Sequence, residues 1–155
     1  KKKYDGVVYK RRIHTGEQAA MALCKGIAPT DRSQIMNEIL YFVSRYEKLA
    51  PAVFLSYERE AFYAKDDAEF RITFDRNILW RDYDLSLSKG VYGEPIIGKD
   101  EVLMEVKCAG AMPLWFVDIL SDMGIYKTSF SKYGRAYTAM LQKSIAQAKR
   151  IQLSA

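Results

Sequence analysis

Residues 102–107, Val-Leu-Met-Glu-Val-Lys, alternate with a period of two. In a strand, Val102, Met104 and Val106 take one side, while Leu103, Glu105 and Lys107 take the other. Three more stretches carry a strand pattern. Residues 4–14 set Val7, Tyr9, Arg11 and Ile13 against Val8, Lys10, Arg12 and His14. Residues 69–75 set Phe70, Ile72 and Phe74 against Glu69, Arg71, Thr73 and Asp75. Residues 52–63 place Tyr57 with Arg59, but Ser56, Glu58 and Glu60 opposite, so the core side of that strand stays open. A single Glu beside a Lys on a solvated strand is commonplace; the repetition is what constrains the chain. It requires a sheet with one side rich in cations.

The remaining chain supplies helices and turns. Thr15-Gly-Glu-Gln18 has capping-box spacing, opening a short helix to about Lys25 before Gly26. Residues 33–49 recur apolar at three- and four-residue spacing through Ile35, Met36, Ile39, Leu40, Phe42, Val43, Tyr46 and Leu49, and Pro51 stops them. That stripe requires burial, and a sheet is the expected receiver. Lys65-Asp-Asp67 is turn chemistry joining two strands as a hairpin. Residues 78–85 are expected to form another strand after a bend at Arg76-Asn77. Residues 86–100 form a loop. Within it, Gly93-Glu-Pro-Ile-Ile-Gly-Lys99 imitates a P-loop but fails: Asp100 stands where Ser or Thr would hold magnesium, Pro95 lacks an amide, and a strand follows. Pro113 opens a helix ended by Gly124, and a last helix covers residues 131–149, its basic end agreeing with the helix dipole.

Composition sets the outer bounds. One domain over residues 1–155 fits the length, and 13% aromatic content argues against disorder. The net charge of +5 permits a polyanionic partner without requiring one. No apolar run spans a bilayer, no secretory signal is visible, and Cys24 and Cys108 are expected to be free thiols in a cytoplasmic protein. Two layouts stay open for the charged side. On a flat sheet it is solvated and its charges are incidental. In a curled sheet the cations line an interior and repel unless an anion sits among them, and phosphate suits Arg forks and Lys point charges.

Five ordered segments carry a resemblance: Val8-Tyr-Lys-Arg-Arg12, Tyr57-Glu-Arg-Glu-Ala-Phe62, Arg71-Ile-Thr-Phe-Asp75, Leu103-Met-Glu-Val-Lys107 with Pro113-Leu-Trp115, and Ser129-Phe-Ser-Lys-Tyr133. Together they resemble the VTC domain of polyphosphate polymerases, within the CYTH-like triphosphate tunnel metalloenzymes. The resemblance implies an α+β fold with a closed antiparallel β-barrel partly covered by helices. It implies an ATP-dependent polyphosphate polymerase that moves the γ-phosphate of ATP onto polyphosphate with Mn2+ or Mg2+. By position, Arg59, Arg71, Lys107 and Lys132 resemble catalytic cations. Lys10 and Arg12 resemble further phosphate contacts, Tyr57 and Ser131 hydrogen-bond donors to phosphate, and Glu105 the metal-binding glutamate. His14 matches no family role.

The resemblance departs at the start. Family domains carry further strands before the Lys-Tyr-Asp-Gly segment, and residues 1–3 resemble the tail of one of them. The chain is therefore expected to be an N-terminally incomplete barrel with an open edge, whose own activity stays undecided. A triphosphate-hydrolysing tunnel enzyme and a non-catalytic polyphosphate- or nucleotide-binding module remain alternatives, as does a membrane-protein partner. Nucleic acid is not expected, because the aromatics do not interleave with the cations as stacking platforms.

Overall fold

The computed structural model describes residues 2–5, 7–30, 33–46 and 49–153. The chain divides into two compact units, Lys1–Pro51 and Ala52–Ala155.

In the first unit, β1 (Lys2–Tyr4) and β2 (Val7–Tyr9) form a tight antiparallel hairpin. The long strand expected over residues 4–14 is not formed: Asp5, at a left-handed φ of 46°, turns β1 into β2, and β2 ends at Tyr9. Lys2 and Lys3 do lie in a strand, while Lys10 and Arg12 fall in irregular, exposed chain. Helix α1 (Glu17–Cys24) has Gly16 as N-cap and no side-chain cap, so the Thr15–Gln18 box is not formed; the helix starts one residue too late for it. Helix α2 (Gln34–Arg45) is capped by the Ser33 hydroxyl, which accepts the Met36 N–H at 3.3 Å. It ends at Tyr46, where the backbone turns extended, short of the expected Leu49; residues 47–48 lie outside the described residues. Of its apolar stripe only Met36 is fully buried, and Tyr41, Phe42 and Tyr46 are exposed. The expected burial of the whole stripe is not met within this unit.

The second unit holds a four-stranded antiparallel sheet. Strand β3 (Phe54–Tyr63) pairs along its length with β4 (Arg71–Arg81), and the Asp67 carboxylate closes the intervening turn by accepting the Glu69 N–H. Two short strands share the other side of β4: β5 (Glu94–Pro95) near its end and β6 (Leu103–Lys107) near its start. Residues 71–81 are one strand rather than two. The expected bend survives as a bulge: pairing slips between Ser56 and Glu58, and Asn77 sits at φ 49°. The Gly93 segment is indeed no phosphate cradle. A Cβ on Gly93 would stand 2.3 Å from the Trp80 carbonyl oxygen, so glycine there serves the close approach of β5 to β4.

The bulge decides what the helices cover. One extra residue in β4 moves Ile78 and Trp80 onto the same side as Asp75, Thr73 and Arg71. That side therefore has a polar half and an apolar half. The last helix, α4 (Lys132–Leu153), lies over it, with Lys132 reaching Asp75 and the Lys143 ammonium 4.6 Å from the Trp80 ring centre. Helix α3 (Leu114–Asp122) meets Phe70, just before β4, through Trp115 and Phe116 at edge-on ring separations of 5.9 and 5.6 Å. On the flat-sheet layout the charged side is left to solvent. The longest helix instead covers the charged side, because the bulge gives that side an apolar half to bury.

The unit's fully buried apolar residues are Phe54, Phe70, Ile78, Trp80, Phe116 and Ala136. The fold is mixed α+β, as expected. Among the described residues the sheet is open, and no closed barrel is found.

Candidate functional site

The polar half of the covered side is built by cross-strand register. Arg59 of β3 stands directly opposite Asp75 of β4, Ala61 opposite Thr73, and Tyr63 opposite Arg71. On the other flank Thr73 faces Glu105, and Arg71 faces Lys107. Alternation then puts Arg59, Asp75, Thr73, Arg71, Glu105 and Lys107 on one side. Lys132 enters from the first turn of α4.

Four of these groups close into a quartet. Arg59 grips Asp75 as a fork, Nε to Oδ1 at 2.5 Å and Nη2 to Oδ2 at 2.6 Å. Lys132 Nζ bridges two acids, Asp75 Oδ2 at 2.6 Å and Glu105 Oε1 at 2.7 Å. Arg59 Nη2 lies 3.5 Å from the same Glu105 oxygen. The Tyr57 ring packs against both cations, 5.0 Å from the Arg59 guanidinium carbon and 4.8 Å from Lys132 Nζ. Exposure grades outward: the side chain of Asp75 is 0% exposed, Lys132 15%, Arg59 30% and Glu105 37%.

The protonation states follow from this geometry. Burial pushes the Asp75 carboxyl up, but hydrogen bonds from Arg59 and Lys132 outweigh it together and hold the group below its ordinary value. The Lys132 hydrogen bond does the same for Glu105, against partial burial. Burial pushes Lys132 down, and its bonds to Asp75 and Glu105 return it above its usual value. Arg59 is held still more firmly protonated, chiefly by the Asp75 hydrogen bond. All four groups are charged at neutral pH, and their charges cancel.

The neighbouring pair is built differently. Arg71 and Lys107 face each other across the ladder, and neither has an ion-pair partner among the described residues. Arg71 donates from Nη1 to the Tyr63 hydroxyl at 3.2 Å and rests 5.6 Å from that ring's centre. The two cations line an open groove with Tyr63, Glu69 and Cys108. Like charges opposite one another destabilise a sheet unless something neutralises them. An anion with several oxygens suits that groove.

The residues singled out from the sequence thus separate. Arg59, Lys132, Glu105 and Tyr57 come together in the quartet, and Arg71 with Lys107 in the adjoining pair. The Ser131 hydroxyl accepts the Gly134 N–H at 3.1 Å, which makes it a cap of α4. Lys10 and Arg12 belong to the other unit. Asp75 is the quartet member that sequence reasoning missed. It ends the Arg71-Ile-Thr-Phe-Asp75 segment and shares its parity with Arg71, so an acid on the cation-rich side was visible; its burial was not.

A divalent metal finds no ready-made cage. Among the described residues no three His, Cys, Asp or Glu side chains cluster to hold one. Asp75 has both oxygens occupied, and Glu105 presents Oε2 as its one oxygen without a partner among the described residues. That donor set fits a magnesium-like ion that arrives on phosphate oxygens and takes one carboxylate from the protein. No described helix is long and apolar enough to cross a membrane.

A family model described as the VTC domain matches residues 1–141. No curated protein and no solved structure matches the chain.

Proposed function

We propose that this chain, which belongs to the VTC domain family, handles phosphate in polyphosphate synthesis, moving the γ-phosphate of ATP onto a growing chain. The family is associated with polyphosphate polymerase function. The observation that carries the reading for this chain is the Arg71–Lys107 pair, two unneutralised cations directly opposed beside a neutral quartet.

Phosphoryl transfer asks little covalent chemistry of a protein; it asks for placed positive charge where the transition state spreads its own. In this reading the Arg71 fork and the Lys107 ammonium hold consecutive phosphoryl groups, and the outward-facing donors of Arg59 and Lys132 meet the transferred one. Lys10 and Arg12 keep the phosphate-contacting role the resemblance implies, as do the Tyr57 and Ser131 hydroxyls. Glu105 Oε2 would hold Mn2+ or Mg2+, which supplies charge neutralisation between phosphate oxygens when bound. The sheet serves as one wall of a phosphate tunnel.

The test is product analysis from γ-labelled ATP with a short polyphosphate primer. Label in polymer that lengthens with time is the expected result, and its loss in Arg71→Ala supports the assigned cation. Free labelled phosphate alone indicates a triphosphatase. Tight polyphosphate binding without turnover would identify a third outcome, a non-catalytic module.

A further inference from the structure

We infer that the two carboxylates of the quartet have opposite duties, Asp75 as a fixed anchor that aims Arg59 and Lys132 at phosphate, and Glu105 as a releasable clasp that competes with phosphate for Lys132. This rests on the phosphate-handling reading above.

Asp75 is sealed from water and has no idle oxygen: Oδ1 takes Arg59, and Oδ2 takes both Arg59 and Lys132. Removing either cation would leave a buried carboxylate half answered with no water to make up the loss, so these contacts persist through ligand exchange. Glu105 differs on each count. It is the most exposed of the four, it engages through Oε1 alone, and its second cation is 3.5 Å away. Lys132 has three donors on one nitrogen, and Asp75 secures one of them. A phosphate oxygen can therefore replace Glu105 Oε1 at Lys132 while Asp75 stays covered. A receiver for the displaced carboxylate stands in the same cross-strand pair: Thr73, opposite Glu105, has a buried Oγ1 with no hydrogen-bond partner among the described residues. Asp75 thus acts through the two cations as a positioning residue, and Glu105 sets how readily one of them is released.

The two duties give opposite signs to two substitutions that change net charge identically. Asp75→Asn and Glu105→Gln each add one positive charge, and a simple field effect would tighten anion binding in both. Tripolyphosphate binding is measured by calorimetry on the 155-residue chain with EDTA present and salt varied. Asp75→Asn is expected to weaken binding at least tenfold and flatten the salt dependence, because fewer cations meet the ligand together. Glu105→Gln is expected to tighten it several-fold. Unchanged or tighter binding by a folded Asp75→Asn overturns the anchor; unchanged or weaker binding by Glu105→Gln overturns the clasp. Glu105 is partly exposed, so its variant decides the proposal even where Asp75→Asn unfolds. Wild-type protein that binds no tripolyphosphate removes the phosphate reading itself, and the inference with it.

Discussion

Two cationic groups lie a few residues apart on one side of β4, and they solve the problem of confined charge in contrary ways. Around Asp75, two cations meet two carboxylates and every charge is answered. At Arg71 and Lys107, two cations face each other and none is answered within the described residues. The difference separates cations already answered by carboxylates from cations that no carboxylate among the described residues answers. Buried, mutually satisfied ions cost much when one is removed, whereas an unneutralised pair costs a little to keep.

The largest expected effect belongs to the satisfied group. Asp75→Ala leaves two partly buried cations without their shared acid and should cost about 3–5 kcal/mol of unfolding free energy in urea. A loss under about 1 kcal/mol would mean the quartet is not structural. Acid should dissect the same group. The native Asp75 carboxyl titrates below its unfolded value, so its contribution is complete above about pH 4 and fades as pH falls through the native value. Wild type should therefore lose stability more steeply than Asp75→Ala as pH falls below about 4. Parallel profiles would contradict the pairing.

Smaller effects should mark the other group. Arg71→Met removes one of two opposed cations and should change stability by less than about 1 kcal/mol, with stabilisation the expected sign in low salt. Clear destabilisation would show that Arg71 has a structural partner. Glu94→Gln breaks an exposed pair with Lys143 and should move thermal unfolding by no more than about 1 kcal/mol. It calibrates what a surface pair contributes beside the quartet.

Much of this was readable in the residues, and the failures have physical causes. The alternation of residues 71–75 and 103–107 correctly placed Arg71, Glu105 and Lys107 on one side, because strand parity is local. The bend expected at Arg76-Asn77 is a bulge within one strand, and its one extra residue reverses every later side chain, a consequence the expectation of a separate strand does not carry. That single slip also put a helix on the charged side, since it made Ile78 and Trp80 a seat for α4. Asp75 was visible as an acid among bases, but its burial depends on Lys132 arriving from a helix 57 positions later in the numbering. Of the strand expected over residues 4–14 only Tyr4 and Val7–Tyr9 pair, because Asp5 turns the chain and the alternating residues 10–14 pair with no strand among the described residues.

The most direct test of the central claim pairs binding with stability for Arg71→Met and Lys107→Met. Tripolyphosphate affinity and thermal midpoint are measured on the same samples over a range of salt. Each variant should bind roughly 10–100-fold more weakly, the loss of about 1.5–3 kcal/mol expected for charge-assisted bonds, while its midpoint stays near that of wild type. Undiminished binding with a lowered midpoint would contradict the account, since it would make these two cations part of the scaffold.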